Sequence, residues 1–218
     1  MAKTVKNSCA QCPLTACKSG DTDRYPVFCP TQKVRKGLLK ETLKQYEEDD
    51  EVGRLAKTSA YIEGEFYGKL TRVEETIEFI KRMGYKKVGI ASCVGLMRET
   101  GIFVRILNAH GIKSFTVGCK IGAVDKTKIG IPEEKKVNGG CGHESLCNPI
   151  MQAKTLEKEK CDFNLVIGLC VGHDSLFLKY SAVPASVLVV KDRVLGHNPV
   201  QALYTAGGMY SRFKDVGM

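Results

Sequence analysis

The chain has 218 residues, of which 43% are hydrophobic and none is tryptophan; it carries ten cysteines and a formal net charge of +9. That length suits one substantial domain with an appendage, or two small ones, and supports a real core. No apolar run approaches a membrane span, and the opening MAKTVKNSCAQCP lacks a signal peptide's apolar region, so a cytoplasmic protein is expected.

Ten cysteines in a reducing compartment argue against a disulfide framework and for metal or redox chemistry. The positive charge does not read as nucleic-acid binding. Basic residues are spread along the chain, most densely at Lys33–Lys44 and Lys154–Lys160, where glutamates interleave as on solvated helix faces. Nothing resembles an aromatic-interleaved basic platform. Cluster ligation also lowers the figure, since a four-thiolate 4Fe–4S centre carries about −2 and one or two of them leave roughly +5 to +7. The partners expected are a redox partner protein or a small-molecule ligand, not nucleic acid or membrane.

Residues 7–30 form a cysteine module, Cys9-x2-Cys12-x4-Cys17-x11-Cys29-Pro30. Pro13, Gly20, Pro26 and Pro30 break regular structure, so the segment needs a staple. Its thiols are candidate metal ligands. A closed four-thiolate site suits structural zinc, whereas Cys-Pro at the last ligand suits iron–sulfur ligation. The spacing matches neither the paired C-x2-C of a zinc ribbon nor the ferredoxin run, and the further cysteines elsewhere favour iron–sulfur.

Helices are expected over 31–50, with Val34, Leu38, Leu39 and Leu43 on one face, and over 51–67. A third spans 71–83, with Thr71 as N-cap, acids early, Lys81 and Arg82 late, and Gly84 as its stop. Then comes a βαβ series: strand 86–92, helix 96–109, strand 113–118, a long irregular stretch, helix 149–160, strand 164–169, helix 174–180, strand 186–190 and helix 199–204. Such alternation predicts an α/β fold with a three-layer parallel sheet of about four strands, and right-handed crossovers give the order 2-1-3-4. The organisation is then a cysteine-rich metal module at 1–30, a helical linker segment at 31–84 and an α/β domain at 85–218.

Three of the strands run straight into a cysteine: Cys93, Cys119 and Cys170. The carboxyl edge of an open α/β sheet is where ligands bind, and strands lie about 4.8 Å apart, so thiols leaving neighbouring strands can meet on one object. The order places Cys93 centrally, with Cys119 and Cys170 on its flanks. Cys161 precedes its strand, at the opposite edge, and reads as structural. His110 reads as a helix C-terminal residue, and His197 as part of a turn.

Residues 120–148 are too long for an ordinary connection. They contain Cys141, His143, Glu144 and Cys147, and their G-H-E-S-L echoes the G-H-D-S-L after Cys170. The echo reads either as two loops facing one site, with Cys141 or Cys147 closing the set, or as two similar helix N-caps. A thiol triad of Cys170, His173 and Asp174 leaves the other strand-end cysteines unexplained. Dinucleotide binding is disfavoured, because no strand–helix turn carries G-x-G-x-x-G.

The four-cysteine module, NGGCGHESLCNP (138–149), GLCVGHDSLF (168–177) and VVKDRVLGHNP (189–199) together resemble an uncharacterised family of cysteine-rich, presumed metal-binding proteins of anaerobic prokaryotes. The resemblance covers nearly the whole chain. It implies metal binding and supplies no reaction.

The sequence thus predicts an iron–sulfur protein with one or two clusters, 4Fe–4S in type. Cys9, Cys12, Cys17 and Cys29 would bind one centre, with zinc as the alternative there. Cys93, Cys119 and Cys170, completed by Cys141 or Cys147, would bind the second. With only three thiolates, one iron is open for redox or sulfur-transfer chemistry on a small molecule, and His173, Asp174, His143 and Glu144 are the candidates to move protons or orient it. A fully ligated electron carrier and a structural zinc protein are the competing readings.

Overall fold

The computed structural model describes residues 8–34, 36–48 and 50–213. Residues 1–7, part of the opening read above against a signal peptide, and positions 35 and 49, inside the helix expected at 31–50, lie outside the described residues. Two compact units divide the chain, Met1–Tyr61 and Ile62–Met218.

In the first unit three short 3₁₀ turns, Cys9–Gln11, Ala16–Lys18 and Thr22–Arg24, precede helix α1 (Pro30–Lys33) and helix α2 (Lys36–Glu47). The single helix expected at 31–50 is therefore two, because Val34 takes an extended ψ of 124° and ends the first turn set. Helix α3 (Glu51–Phe66) follows, and the boundary between the units falls within it. The Asp50 carboxylate accepts from the Gly53 N–H at 2.9 Å, which satisfies one of the donors a helix start leaves free.

The second unit begins its regular series with helix α4 (Arg72–Met83). Thr71 and Glu74 form a capping box, and Gly84 closes the helix in the left-handed region at φ 74°, as the sequence predicts. Strand β1 (Lys87–Ser92), helix α5 (Met97–Ala109), strand β2 (Lys113–Gly118), helix α6 (Pro149–Lys158), strand β3 (Phe163–Ile167), helix α7 (His173–Tyr180), strand β4 (Ala185–Val189) and helix α8 (Val200–Tyr204) complete it. His110 caps the carboxyl end of α5. No helix among the described residues is long and apolar enough to cross a membrane.

The four strands form one parallel sheet in the order β2-β1-β3-β4. Ser92 at the end of β1 pairs with Gly118 on one side and with Ile167 on the other, so the central carboxyl ends finish level. Alternation along the strands splits the core into two layers. Val88, Ile90, Leu165 and Ile167 pack with Ile77 and Ile80 of α4 and with Phe103 and Leu107 of α5. Ala91, Val117 and Val166 turn the other way, onto Ala153 and Leu156 of α6 and Phe177 of α7. Helices on both faces of a parallel sheet give the three-layer α/β architecture.

On the α6 face the fit is tight. Gly89 has no side chain because a Cβ there would lie 2.1 Å from Asn164 Oδ1, 2.9 Å from Leu156 Cδ1 and 3.2 Å from the Cys161 Cβ. Gln152 of α6 is fully buried and donates to the carbonyls of Ser92 (3.1 Å) and Val117 (2.7 Å), tying the ends of β1 and β2 together. Gly89→Ala is expected to lower the stability of this sheet by about 1–3 kcal/mol through overpacking; urea unfolding followed by far-UV circular dichroism measures it.

Candidate metal centre

Cys93 and Cys119 directly follow the register-matched residues Ser92 and Gly118, and both are buried. The Cys93 N–H donates to the Ile167 carbonyl at 3.0 Å, which binds the exit of β1 to the end of β3. Cys170 comes three residues beyond β3, where Gly168 (φ 61°) and Gly172 (φ 84°) turn the chain into α7. Its carbonyl accepts from the N–H groups of His173 (2.9 Å) and Asp174 (3.1 Å). Each of the three strands therefore brings its thiol to the carboxyl rim, as expected.

The fourth thiol at the rim is Cys147. The Asn148 N–H donates to the Cys119 carbonyl at 2.7 Å, so the long loop returns to its own starting point and sets Cys147 beside Cys119. Cys119 and Cys147 are hydrogen-bonding neighbours. Together with burial, this pushes the Cys119 thiol far up, while the Cys147 thiol is pulled down to about 5 by the same bond, aided by Lys120 and by His173 against the cost of burial. Cys93 is also close enough to Cys119 to raise it by like charge. Of the two cysteines left open by the sequence, Cys147 is at the rim; Cys141 is exposed among the left-handed glycines 139, 140 and 142.

Cations flank the four thiols. Arg193 Nη2 donates to Cys170 Sγ at 2.8 Å, and Lys191 Nζ to Cys93 Sγ at 3.4 Å. The Cys170 sulfur first, and Cys93 and Cys147 further off, raise the Arg193 guanidinium. The Val94 N–H adds a 3.4 Å contact to Cys119 Sγ. The motif holding Lys191 and Arg193 enters the sequence analysis only as part of a resemblance; a cation after a cysteine-free strand is no ligand signal, and only the fold shows where it points.

The residues of the G-H-E-S-L echo are employed differently in its two copies. His173 opens α7 and is near Cys147, and the Asp174 carboxylate accepts from the Ser175 N–H at 2.8 Å. His143 and Glu144 belong instead to a network that folds the loop. Asp125 and Ser145 form an antiparallel bridge. Asp125 accepts from the N–H groups of Thr127 (2.9 Å) and Glu144 (2.8 Å), from the Thr127 hydroxyl (2.8 Å) and from Lys136 (3.0 Å). Lys136, whose side chain is 2% exposed, also reaches Glu133 at 2.7 Å and the Gly142 carbonyl at 3.2 Å. Glu144 pairs with Lys126, and His143 lies 2.9 Å from Ser145 Oγ and 3.5 Å from Asp125 Oδ2. Only the second copy is a helix start; the helix after the first is capped by Asn148, whose side chain accepts from the Met151 N–H at 3.0 Å.

Cys161 is buried at the opposite edge, beside Gly89, and burial pushes its thiol up. His197 sits in a turn at φ 67°. In the first unit Cys9 and Cys17 are exposed, Cys12 is half-buried and Cys29 is buried. Cys29 precedes α1, and bonds from the Thr31 hydroxyl and from the N–H groups of Thr31 and Gln32 lower its thiol against the effect of burial.

Among the described residues, no group of three or more His, Cys, Asp or Glu side chains is placed to hold a metal ion. Thiolates on one zinc lie within about 4 Å of one another, since each Zn–S bond is about 2.3 Å. Cys119 and Cys170 leave strands two positions apart, roughly 10 Å at about 4.8 Å per strand, with Cys93 between them. The donor set, thiols flanked by fixed cations, is the chemistry that a negatively charged sulfur-ligated core would take.

Fold and rim together define a three-layer α/β protein with a cation-flanked group of four thiols at the carboxyl edge of its parallel sheet. The chain belongs to the family described as "Protein of unknown function (DUF1847)", whose model matches residues 29–188. It is also similar to the uncharacterized protein MJ0455 of Methanocaldococcus jannaschii, with 41% identity over 197 residues, covering 90% of this chain and 93% of that protein. The resemblance read from the motifs is right in pointing to an uncharacterised family.

The loop network generates a test. Asp125 is held well below the usual carboxylate range by the N–H groups it faces, so its contribution is complete at neutral pH and fades as pH falls below about 4. Lys136→Met leaves Asp125 and Glu133 without their shared cation. A glutamate-specific protease is expected to cut within 120–148 roughly tenfold faster in this variant, with Lys128→Met, at an exposed position, unchanged. Mass mapping of the fragments reads the outcome.

Proposed function

We propose that the chain is an iron–sulfur protein in which Cys93, Cys119, Cys147 and Cys170 hold a cluster at the carboxyl rim of the sheet. What supports this reading is that four thiols leave the same edge of the sheet: two from level strand ends, one three residues beyond the next strand, and one from a loop whose backbone closes onto Cys119. Cys9, Cys12, Cys17 and Cys29, spaced as a closed set, are proposed to bind a further centre.

A sulfur-ligated iron core supplies one-electron redox chemistry when bound. The residues of the chain do the rest. The buried Cys93 and Cys119 fix the inner side of the site against the core of the sheet. Gln152 locks the two strand ends that carry them. Arg193 and Lys191 orient Cys170 and Cys93, and His173, at the start of α7, is positioned to give or take a proton at the half-buried side where Cys147 and Cys170 lie. Four thiolates leave no iron open, which suits electron transfer with a partner protein.

A second reading is favoured by one observation. Cys147 is the rim thiol that comes from a loop and not from a strand end, and it is half-buried, so it is the ligand that a small-molecule substrate would displace. Redox or sulfur-transfer chemistry then becomes available, and cyanide or an added thiol perturbs the spectrum of that centre alone; a fully ligated carrier leaves it unchanged.

The assignment is tested by anaerobic purification with iron and sulfide analysis of two variants. Cys119→Ala is expected to lose about half the iron, the share of one of two centres, and Cys161→Ala none. Equal iron in the two variants refutes the rim assignment.

A further inference from the structure

Three strands of the sheet end in thiols. The fourth, β4, ends at Val189 and is followed, after Val190, by Lys191-Asp192-Arg193. We propose that this turn is a counter-charge clamp: Lys191 and Arg193 are positioning residues that hold positive charge and N–H donors against the sulfurs of Cys93 and Cys170, and so set the reduction potential of the rim site. The inference rests on the iron–sulfur reading above.

The turn is built to hold its two cations apart and aimed. The Asp192 carboxylate accepts from the N–H groups of Val194 (2.9 Å) and Leu195 (2.8 Å), which folds the chain back directly after it. His197 closes the turn in both directions: its N–H donates to the Asp192 carbonyl at 2.9 Å, and its Nδ1 accepts from the Asp192 N–H at 3.1 Å. His197, read from the sequence as a turn residue, thus braces the loop on which Lys191 and Arg193 stand.

Two glycines border the path of Lys191, and a Cβ at either would meet the lysine only at ordinary contact distance. A Cβ at Gly168 would lie 3.7 Å from Lys191 Cδ and 2.1 Å from Leu96 Cδ1, and one at Gly95 would lie 3.6 Å from Lys191 Nζ and 3.8 Å from Cys93 Sγ. The lysine stem therefore runs over bare backbone from β4, past the end of β3, to the thiol at the end of β1. Arg193 takes the shorter route to Cys170 at 2.8 Å. Its neighbour Asp192 is turned into the loop's own hydrogen bonds, so among the described residues its carboxylate forms no direct ion pair with either cation, and it offsets only part of their charge.

The consequence follows from charge. Reduction adds one electron to a thiolate-ligated core, supplied by an external one-electron donor that is itself oxidised; no protein bond is made or broken. Donors to ligand sulfurs and nearby positive charge stabilise the more negative, reduced form and raise the potential. Arg193 stands beside the half-buried Cys170, which is also the side an acidic electron-transfer partner would approach.

The test uses the whole chain, purified without oxygen, with the potential read by spectroelectrochemical titration against mediators and with iron and sulfide measured on the same samples. Arg193→Met is expected to keep its iron and to shift the reduced-to-oxidised ratio at fixed potential about tenfold toward oxidised, about 59 mV for a one-electron couple. Lys191→Met with Arg193→Met shifts it further, and Arg193→Lys stays near wild type. Lys113→Met, at the exposed amino end of β2, leaves the potential unchanged. Full iron with an unaltered potential in Arg193→Met and in the double variant overturns the clamp and leaves the iron–sulfur reading intact. Loss of iron from Arg193→Lys as well shows that the guanidinium shape and not its charge is required, which also overturns it. A wild-type chain that holds zinc alone, or no metal, overturns both.

Discussion

Negative charge brought together must be balanced where it gathers. Four sulfur atoms at the rim of this sheet repel one another as soon as more than one ionises, and the low dielectric of a buried edge makes that repulsion strong. Cys119 and Cys147 lie together as a thiol pair, and fixed cations stand beside the group: Lys120 near Cys147, Lys191 on Cys93 and Arg193 on Cys170. The parallel sheet makes the arrangement possible, because neighbouring strand ends are level and point the same way.

Much else serves that rim. Gln152 ties α6 to the ends of β1 and β2, so the thiols that follow are held together, while Gly89 lets α6 close onto the sheet nearer its amino edge. The loop at 120–148 would be too long to hold a ligand in place if it were slack. Its buried Lys136, ringed by Asp125, Glu133 and the Gly142 carbonyl, gives it a polar core of its own and delivers Cys147 to Cys119. The loop is long because it must contain that core before it can return.

The sheet was legible in the sequence because its strands are β-branched apolar runs separated by amphipathic helices, and the handedness of crossovers leaves few orders to choose from. Cys93, Cys119 and Cys170 were legible for the same reason, since strand ends locate whatever follows them. That Cys147 and not Cys141 reaches the rim was not, because it depends on a backbone bond from Asn148 to Cys119 that closes a loop of nearly thirty residues. Lys191 and Arg193 were invisible as site residues: periodicity places them after β4 but says nothing about where a long flexible side chain reaches. The G-H-E-S-L and G-H-D-S-L echo misled in part, since the same letters begin a helix at His173 and form a bridge strand around Ser145. The break at Val34 went unseen because an apolar residue with an extended ψ looks, in the sequence, like one more member of a helix face.

The central claim is that sulfur atoms from distant parts of the chain share one iron-containing core, separate from any centre of the first unit. X-ray absorption at the iron and zinc edges, on the full chain with Cys9, Cys12, Cys17 and Cys29 all changed to alanine and kept free of oxygen, tests it most directly. The account predicts iron with a sulfur shell and iron–iron scattering in that variant. Zinc alone, or an iron signal that disappears with those four cysteines, would contradict it.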